Sequence, residues 1–303
     1  MSARVITIRR LGRIFRVPAS KKMIDLTLSG LPLQWDEQNR KLVFGRGMDQ
    51  IAPALRTMKE MSDVLFEREN AFGQGGDLET PLYYMYRDLH LEEHRLLFRE
   101  EGIRYDVTVL IPGTLGKEYV KTAGHYHPIK SGTNCTYPEI YEVLHGRAHY
   151  LMQKPRDFED PAAGIDEVIV VAAEPGDKVL IPPGFGHITI NPGFNFLVMS
   201  NLVADDFNSI YEPLRNMGGA GYFEIVPEDE AQKKPVFVPN HRYTSLPPLC
   251  FTRPVKLTNF FLTKEIPQYR SFIQRHQCFD FLTSPEKYEA EFKAYLQNLK
   301  SNS

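Results

Sequence analysis

The stretch that decides the fold is Gly176-Asp177-Lys178-Val179-Leu180-Ile181-Pro182-Pro183-Gly184-Phe185-Gly186-His187-Ile188-Thr189-Ile190-Asn191. It holds two short strand-like runs, Lys178–Ile181 and His187–Ile190, and the Pro-Pro-Gly between them favours a turn. Similar runs, each bounded by Gly, Pro or Asn, occur on both sides of it at Tyr105–Ile111, Glu139–His145, Ala148–Gln153, Glu167–Ala172 and Phe194–Asn201. Many short strands at this spacing predict an all-β sandwich or barrel. A parallel α/β sheet is disfavoured because no helix-length pattern separates the strands.

Two segments with weaker strand patterns flank this region. Residues 1–70 are predicted to form an N-terminal arm with a packing helix over Ile51–Phe66, where apolar residues recur near one face. Residues 71–232 hold the predicted barrel, and residues 233–303 form a C-terminal extension that ends in a helix. Ser284 is expected to cap that helix and Pro285 to begin it, before an apolar stripe made of Tyr288, Phe292, Tyr295 or Leu296, and Leu299. We expect the extension to wrap the barrel or to reach a second subunit.

Composition excludes several classes of protein. The 303 residues carry 36 basic and 38 acidic side chains, so the net charge is −2. The chain therefore lacks the basic excess that binding to nucleic acids or anionic membranes usually needs, although a local basic patch is compatible with this average. Three cysteines without a CxxC pair argue against a disulfide framework and a thiolate zinc site. The sequence shows neither an export signal nor an apolar run long enough to span a membrane. We therefore expect a cytoplasmic protein with a small-molecule or protein partner.

A candidate metal site begins with His125-Tyr126-His127. On a β-strand, residues two apart point to the same face, so both imidazoles can reach one point in space. The pair alone is equally consistent with two hydrogen-bonded, partly buried histidines. Glu139, at the start of a predicted strand, and His187, after the Pro/Gly turn, add a carboxylate and a third imidazole. Such a donor set suits Fe(II), Mn, Ni, Co or Zn.

These residues resemble the two motifs of the cupin family. The second motif is matched from Gly176 to Asn191 without a departure, and the first ends at Glu139 and, after six residues, Gly146. The resemblance implies a double-stranded β-helix, a jelly-roll barrel in which both motifs converge on one metal ion. The spacer between His127 and Glu139 is longer than is usual, which we assign to an insertion at a hairpin tip. Glu142 is the competing carboxylate, but strand alternation places it on the face opposite Glu139, and the gap to Gly146 favours Glu139.

The resemblance extends to the cupin-type glucose-6-phosphate isomerase family first known from archaea, over about residues 55–225. It is carried by Tyr83-Tyr84-Met85-Tyr86, Thr108-Val109-Leu110-Ile111-Pro112-Gly113-Thr114, Glu118-Tyr119, Thr122-Ala123-Gly124-His125-Tyr126-His127, Pro138-Glu139-Ile140-Tyr141 and Leu151-Met152-Gln153. It implies an aldose–ketose isomerase of glycolysis and gluconeogenesis that interconverts glucose 6-phosphate and fructose 6-phosphate. It also implies a homodimer and one divalent metal ion, with Fe2+ favoured and Mn2+, Ni2+, Co2+ or Zn2+ as alternatives.

The family's functional residues transfer to matching positions of this chain. The metal ligands fall on His125, His127, Glu139 and His187, and the sugar-phosphate contacts fall on Tyr83, Thr108, Thr122, Gly124 and Tyr141. Glu139 and Tyr141 are then the catalytic residues: Glu139 as proton shuttle, unless hydride is transferred instead, and Tyr141 as the group that orients the substrate or the carboxylate. One departure is Asp205-Asp206-Phe207, where the family tends to carry a histidine and a tyrosine. A carboxylate near a phosphate would repel it, so either the alignment slips there or the substrate differs.

Other functions stay open at this stage. An Fe(II) cupin dioxygenase would use the same ligands with oxygen, and a non-catalytic sugar-phosphate-binding cupin would keep the pocket without turnover. His90-Leu91-Glu92-Glu93-His94 also fits the HxxEH pattern of zinc peptidases, which requires a helix. Because this segment lies between two predicted strands, we interpret it as a charged hairpin or short turn.

Overall fold

The computed structural model describes residues 7–10, 13–16, 22–67, 77–160, 163–229 and 234–302, and only the backbone of the first two ranges. The strands in these ranges are β1 Thr7–Arg10, β2 Arg13–Arg16, β3 Met23–Asp25, β4 Leu33–Asp36, β5 Lys41–Phe44, β6 Ala54–Thr57, β7 Pro81–Tyr86, β8 Ile103–Leu110, β9 Thr114–Leu115, β10 Glu118–Tyr119, β11 Glu139–His145, β12 Ala148–Pro155, β13 Ile165–Ala173, β14 Lys178–Ile181, β15 Gly186–Ile190, β16 Leu197–Ala204, β17 Tyr222–Ile225, β18 Val236–Pro239 and β19 Cys250–Thr252. The α-helices are α1 Met58–Met61, α2 Arg95–Glu101, α3 Glu212–Asn216, α4 Gln268–Gln274, α5 Asp280–Thr283 and α6 Glu289–Ser301.

Two antiparallel sheets form the barrel that the sequence predicts. One sheet has the strand order β14-β11-β16-β8-β7-β6 and the other β15-β12-β13-β19, in which only the β13–β19 pair is parallel. The sheets pack face to face: the rings of Tyr141, on β11, and Tyr150, on β12, lie 5.1 Å apart between them. Alternation sets which residues point inward, because successive side chains of a strand face opposite sides. The expected all-β cupin fold, a double-stranded β-helix, is confirmed.

Both flanking segments pack on the outer face of the six-stranded sheet. Trp35, on β4 of the β3-β4-β5 sheet, is fully buried and contacts Tyr84 with ring centroids 5.3 Å apart. From the C-terminal extension, Tyr269 packs edge-on against Tyr105, and the Tyr295 hydroxyl accepts a hydrogen bond from the Leu180 backbone N–H. The outer face is therefore covered by protein. The predicted boundaries at residues 70 and 232 stay predictions.

The helix predicted over Ile51–Phe66 is wrong. Residues 54–57 form β6, which pairs with β7, and only the four-residue α1 and a 3-10 turn at Ser62–Val64 follow. The apolar spacing suits a helix, but pairing with the edge of the six-stranded sheet satisfies the backbone of residues 54–57 instead. Glu60 then starts the short helix by accepting a hydrogen bond from the Thr57 N–H at 2.8 Å. The short helices α2 and α3, within the strand-rich region, were not predicted.

The terminal helix is confirmed, but its start differs from the prediction. Ser284 precedes and Pro285 begins a separate 3-10 turn at Pro285–Lys287, and α6 begins only at Glu289. Three residues of the predicted stripe are buried, namely Phe292, Tyr295 and Leu299. In the ranges that the structure describes, no helix has the length and apolar character needed to cross a membrane.

Candidate active site

Four ligand-type side chains converge at one end of the barrel: His125, His127, Glu139 and His187. Glu139 is the first residue of β11, and His187 lies in β15. The two histidines of the His-x-His pair lie on an extended segment beside β15 rather than in a continuous strand. His125 is joined to His187 there by two backbone hydrogen bonds of 3.2 and 3.0 Å. This local pairing places the three imidazoles on the side that faces Glu139.

The donor atoms lie close together. The Nε2 atoms of His125 and His127 are 3.1 Å apart, and the Oε2 atom of Glu139 lies 3.2 Å from Nε2 of His187, 3.4 Å from Nε2 of His127 and 4.0 Å from Nε2 of His125. Two ligand atoms that each lie about 2.1 Å from one ion, with a right angle between the two bonds, are about 3 Å apart. The observed spacings are therefore of the size that a single ion requires. All four donor atoms fall within 4.8 Å of one another.

Burial sets the charge state of the cluster. Burial, together with the neighbouring imidazoles, holds the pKa of His125 well below its ordinary value, and burial also lowers the pKa of His187. For Glu139, burial alone would raise the pKa, but His127 and His187 beside it outweigh that effect and hold the pKa well below its usual range. At neutral pH the cluster therefore presents a carboxylate and neutral imidazoles at His125 and His187, which is the protonation state that metal binding needs.

Orphaned polar atoms indicate what the cluster fits. Among the described residues, Oε2 of Glu139 and Nδ1 of His187 are buried without a hydrogen-bond partner. His127 differs, because its Nδ1 lies 2.8 Å from the backbone oxygen of Tyr137. A carbonyl oxygen only accepts, so Nδ1 carries the hydrogen and the Nε2 lone pair points into the cluster. A cation among the four donors would satisfy the buried carboxylate oxygen, and the residues fit a divalent metal ion.

Three of the predicted substrate contacts lie on the inner face of the six-stranded sheet. In the register of β11, β16 and β8, Tyr141 lies opposite Asn201, and Thr108 lies opposite Met199 on the same side of the sheet. The Tyr141 hydroxyl reaches to 3.0 Å from Nε2 of His187. Burial and the charge of Glu139 raise the pKa of Tyr141 well above its usual value, so the hydroxyl keeps its proton. Tyr83, on β7, accepts a hydrogen bond from the Ala123 N–H at 3.2 Å, and burial raises its pKa.

The other two predicted contacts are held by β15. The Thr122 hydroxyl oxygen accepts a hydrogen bond from the Thr189 N–H at 2.9 Å. Gly124 has a φ of 76°, and a Cβ there would lie 2.3 Å from Ile188 Cγ1 and 2.7 Å from Leu214 Cδ1. Glycine is therefore required by close packing immediately before His125.

Two residues that the sequence analysis missed complete this end of the barrel. Arg56 pairs with Tyr83 between β6 and β7, and its guanidinium carbon lies 5.5 Å from the ring centre of Tyr211. The Tyr211 ring in turn lies 5.5 Å from the His125 ring. The Arg56 side chain is only 15% exposed; its Nη1 bonds to Glu60 at 3.1 Å, while its Nε is buried without a partner. The basic side chain was visible in the sequence, but the helix assigned to Ile51–Phe66 concealed its strand position.

Asp205-Asp206-Phe207 takes a position that the sequence did not indicate. Asp206 and Phe207 follow β16, and Oδ2 of Asp206 accepts a hydrogen bond of 2.9 Å from the Tyr137 hydroxyl. The ring of Phe207 packs against His127 with centroids 4.6 Å apart. Asp206 therefore directs a carboxylate oxygen to a tyrosine of the inserted loop. Tyr211, further along, is the aromatic residue that reaches the His125 side of the cluster.

Two competing assignments lose their structural support. Glu142 points to the outer face of the sheet, where its Oε1 lies 2.9 Å from Nζ of Lys178 and its Oε2 accepts from the Gln268 N–H. In the HxxEH segment, residues Glu92–His94 form a 3-10 turn and His90 lies outside it, so the helical zinc-binding arrangement is not formed. The expected short turn is confirmed there.

Comparisons with known proteins show which family this chain resembles. A family model described as glucose-6-phosphate isomerase (GPI) matches residues 56–239. The glucose-6-phosphate isomerase of Thermococcus gammatolerans is 31% identical over 200 residues, which are 64% of this chain and 90% of that protein. The enzyme of the same name from Pyrococcus abyssi is 29% identical over 211 residues, 68% of this chain and 96% of that protein.

Two solved structures are similar to part of the chain. An oxalate oxidase in complex with the substrate analogue glycolate shares 15% identity and a TM-score of 0.32, over 44% of this chain and 56% of that one. An oxalate decarboxylase from Bacillus subtilis shares 17% identity and a TM-score of 0.28, over 42% of this chain and 26% of that one.

Proposed function

We propose that the barrel interconverts glucose 6-phosphate and fructose 6-phosphate with a divalent metal ion, because this chain belongs to the glucose-6-phosphate isomerase family. The ligands would be His125, His127, Glu139 and His187. The observation that carries the proposal is the convergence of three imidazoles and a buried, unpartnered carboxylate oxygen inside the region that matches the family, residues 56–239. Fe2+ is our first choice of metal, and Mn2+, Ni2+, Co2+ and Zn2+ are the alternatives to be compared.

The protein's own groups suit the reaction. A bound divalent ion would supply positive charge beside the C1 and C2 oxygens of the sugar, where negative charge develops. Glu139, kept anionic by its neighbours, would accept the proton from C2 of glucose 6-phosphate and return it to C1, while the hydroxyl proton at O2 passes to O1. Tyr141, kept protonated by burial, would donate a hydrogen bond to a substrate oxygen. Direct hydride transfer from C2 to C1 is the alternative route, in which Glu139 only binds.

The phosphate group would lie on the Arg56 side of the candidate site. Arg56 brings a guanidinium with a buried, unpartnered Nε, and Tyr83 and Thr108 lie on the same inner face. Guanidinium groups bind phosphate oxygens through charge-assisted hydrogen bonds, which are stronger than those of hydroxyls. The ring of Tyr211 contacts this guanidinium on one side and the His125 ring on another, so the anionic and the reacting ends of a sugar phosphate would meet different parts of the site.

Metal dependence and reaction class are tested together by one assay. The protein is treated with a chelator, reloaded with each of the five metals in turn, and assayed for interconversion of the two sugar phosphates by a coupled enzyme. We expect activity only after metal is added, and none in His125→Ala. An inactive, metal-loaded, folded wild type would refute the isomerase proposal. Deuterium exchange from solvent into the product would distinguish proton transfer from hydride transfer.

The same preparation tests the phosphate assignment. Losing a charge-assisted hydrogen bond costs about 1.5–3 kcal/mol, so Arg56→Gln should raise KM about 10- to 100-fold. Arg56→Lys keeps the positive charge but loses the parallel N–H donors of the guanidinium, so its KM should lie between those of wild type and Arg56→Gln. Arg95→Gln is the matched control, because Arg95 pairs with exposed Asp49 and Glu92 on the outside of the barrel. If Arg56→Gln keeps the wild-type KM, the phosphate lies elsewhere.

The rival functions are outcomes of these experiments. Oxygen consumption by the iron-loaded protein would favour a dioxygenase, and binding of metal and sugar phosphate without turnover would favour a non-catalytic binding protein. The homodimer, the cytoplasmic location and the absence of nucleic-acid and membrane partners stay predictions. Sedimentation of the full chain tests the first of these.

A further inference from the structure

Two departures from the family pattern meet in space. The long spacer after His127 forms a hairpin, in which Ile129 bridges Thr136 and the Lys130 N–H donates to the Cys135 oxygen. The second departure, the Asp206-Phe207 segment, follows β16 and lies against this hairpin. Tyr137, near the end of the hairpin, contacts both the segment and a metal-ligand candidate.

Tyr137 contacts His127 directly and is held by both residues of the Asp206-Phe207 segment. Its backbone oxygen lies 2.8 Å from Nδ1 of His127. Its ring stacks on Phe207, with centroids 4.6 Å apart and planes at 15°, and Phe207 packs against the His127 ring. Its hydroxyl donates to Oδ2 of Asp206 at 2.9 Å. Burial and the neighbouring Asp206 raise the pKa of Tyr137 to about 12, so the hydroxyl remains a donor at neutral pH.

The remaining anchors of the hairpin hold it from both sides. The Thr136 hydroxyl oxygen accepts a hydrogen bond of 2.7 Å from the Gly184 N–H, in the turn before β15. At the tip, Nζ of Lys130 lies 3.1 Å from both carboxylate oxygens of Glu286, in the C-terminal extension. The hairpin is thus tied to three parts of the molecule, and Tyr137 is the residue through which this attachment reaches His127.

We propose that Tyr137 is a positioning residue for His127, and that Asp206 and Phe207 hold the Tyr137 side chain so that its backbone oxygen fixes the imidazole. A hydrogen bond to the second nitrogen of a ligating histidine sets the ring orientation and the tautomer. The inserted hairpin and the altered segment after β16 therefore form one structural unit. The inference rests on the metal site of the proposed function, but concerns residues that lie outside the family's ligand set.

The test measures Co2+ binding rather than turnover. The Kd of Co2+ is obtained by competition with a chromophoric chelator, and the visible absorption of the Co2+-loaded protein reports the ligand geometry. Tyr137→Phe removes the bond to Asp206 but keeps the ring and the backbone oxygen, so we expect a Kd about 3- to 10-fold higher than wild type and a shifted spectrum. Asp206→Ala should do the same, and the double variant should add nothing further. Asp206→Asn, which still accepts the hydrogen bond, should restore most of the affinity.

Controls separate positioning from general stability and from the proposed function. Tyr222→Phe also deletes a tyrosine hydrogen bond, to the Pro247 oxygen at 2.8 Å, and should leave the Kd and the spectrum unchanged. His187→Ala should abolish binding. If wild type itself binds no Co2+, the metal site fails and the inference fails with it. If wild type binds and His187→Ala does not, but Tyr137→Phe matches wild type or Tyr222→Phe weakens binding equally, only the inference is overturned.

Discussion

Burial of the Glu142 carboxyl beside Lys178 should make the stability of the barrel depend on pH. The two side chains are 0% and 3% exposed, and Glu142 also accepts a hydrogen bond from the Gln268 N–H of the C-terminal extension. Burial raises the pKa of Glu142 from 4.5 to about 7, although Lys178 opposes the change. Between these two values the folded chain holds a proton that the unfolded chain has released. The free energy of unfolding therefore falls as pH rises from about 4.5 to about 7.

The size of the effect follows from the two pKa values. At 1.36 kcal/mol for each tenfold change in proton concentration, the carboxyl contributes about 3.4 kcal/mol over the whole range and about 2.5 kcal/mol between pH 5 and pH 8. The double substitution Glu142→Gln/Lys178→Met removes both charges and keeps an acceptor for Gln268. Its stability relative to wild type should thus increase by about 2.5 kcal/mol from pH 5 to pH 8. The other titrating groups contribute equally to wild type and to the variant, so their contributions cancel when the two free energies of unfolding are subtracted.

The assay is urea unfolding of the chelated protein, followed by the fluorescence of Trp35, the single and fully buried tryptophan. Lys178→Met alone should cost about 3–5 kcal/mol at pH 8, where it leaves a buried carboxylate unpaired, and less at pH 5. The exposed pair of Asp280 and Lys287 gives the control: Asp280→Asn/Lys287→Met should change stability by less than about 1 kcal/mol at either pH. If the difference in free energy of unfolding between wild type and the double variant stays the same from pH 5 to pH 8, the raised pKa of Glu142 is refuted.

Three further predictions concern the site and the extension. Gly124→Ala should lower the free energy of unfolding by about 2–4 kcal/mol and reduce activity, because its Cβ would clash with Ile188 and Leu214 at a positive φ; urea unfolding and the isomerase assay measure both effects. Phe292→Ala should cost about 3–5 kcal/mol, whereas Lys293→Ala on the exposed side of α6 should cost less than about 0.5 kcal/mol; equal effects would show that the extension is not packed as described. Removing metal with a chelator should lower the melting temperature and abolish turnover, and adding a divalent metal back should restore both.

The sequence supports prediction best where local chemistry and tertiary pairing agree. Glu139–His145 and Lys178–Ile181 are strands with the predicted bounds, because turn residues close each of them at both ends. The third case, Phe194–Asn201, is a strand that lies three residues further on, at Leu197–Ala204, where it pairs with β8 and β11. Register within a sheet is set by the partner strands, which a local pattern does not contain.

The active-site residues divide in the same way. The four ligand candidates could be named because each lies in a local feature, a His-x-His pair, a strand-initial glutamate or a histidine after a Pro/Gly turn, and because these features resemble the two cupin motifs. Arg56 and Tyr211 were missed because their positions depend on contacts between residues that lie far apart in the chain. The contact between Asp206 and Tyr137 could not be predicted either, because the two residues lie 69 positions apart in the chain.

Net charge is a weak guide to whether a pocket binds an anion, and this chain shows why. A total of −2 shows that the chain has no overall basic surplus, but it says nothing about one guanidinium that is 15% exposed. Charge on an exposed surface is screened within about 8–10 Å at physiological salt, while a partly buried charge keeps most of its interaction with a nearby ligand. Arg56 lies in such a place, at the end of the barrel where Tyr211 contacts both its guanidinium and the ring of His125. A single well-placed cation beside the proposed metal site would therefore be enough to bind a sugar phosphate without any basic surplus.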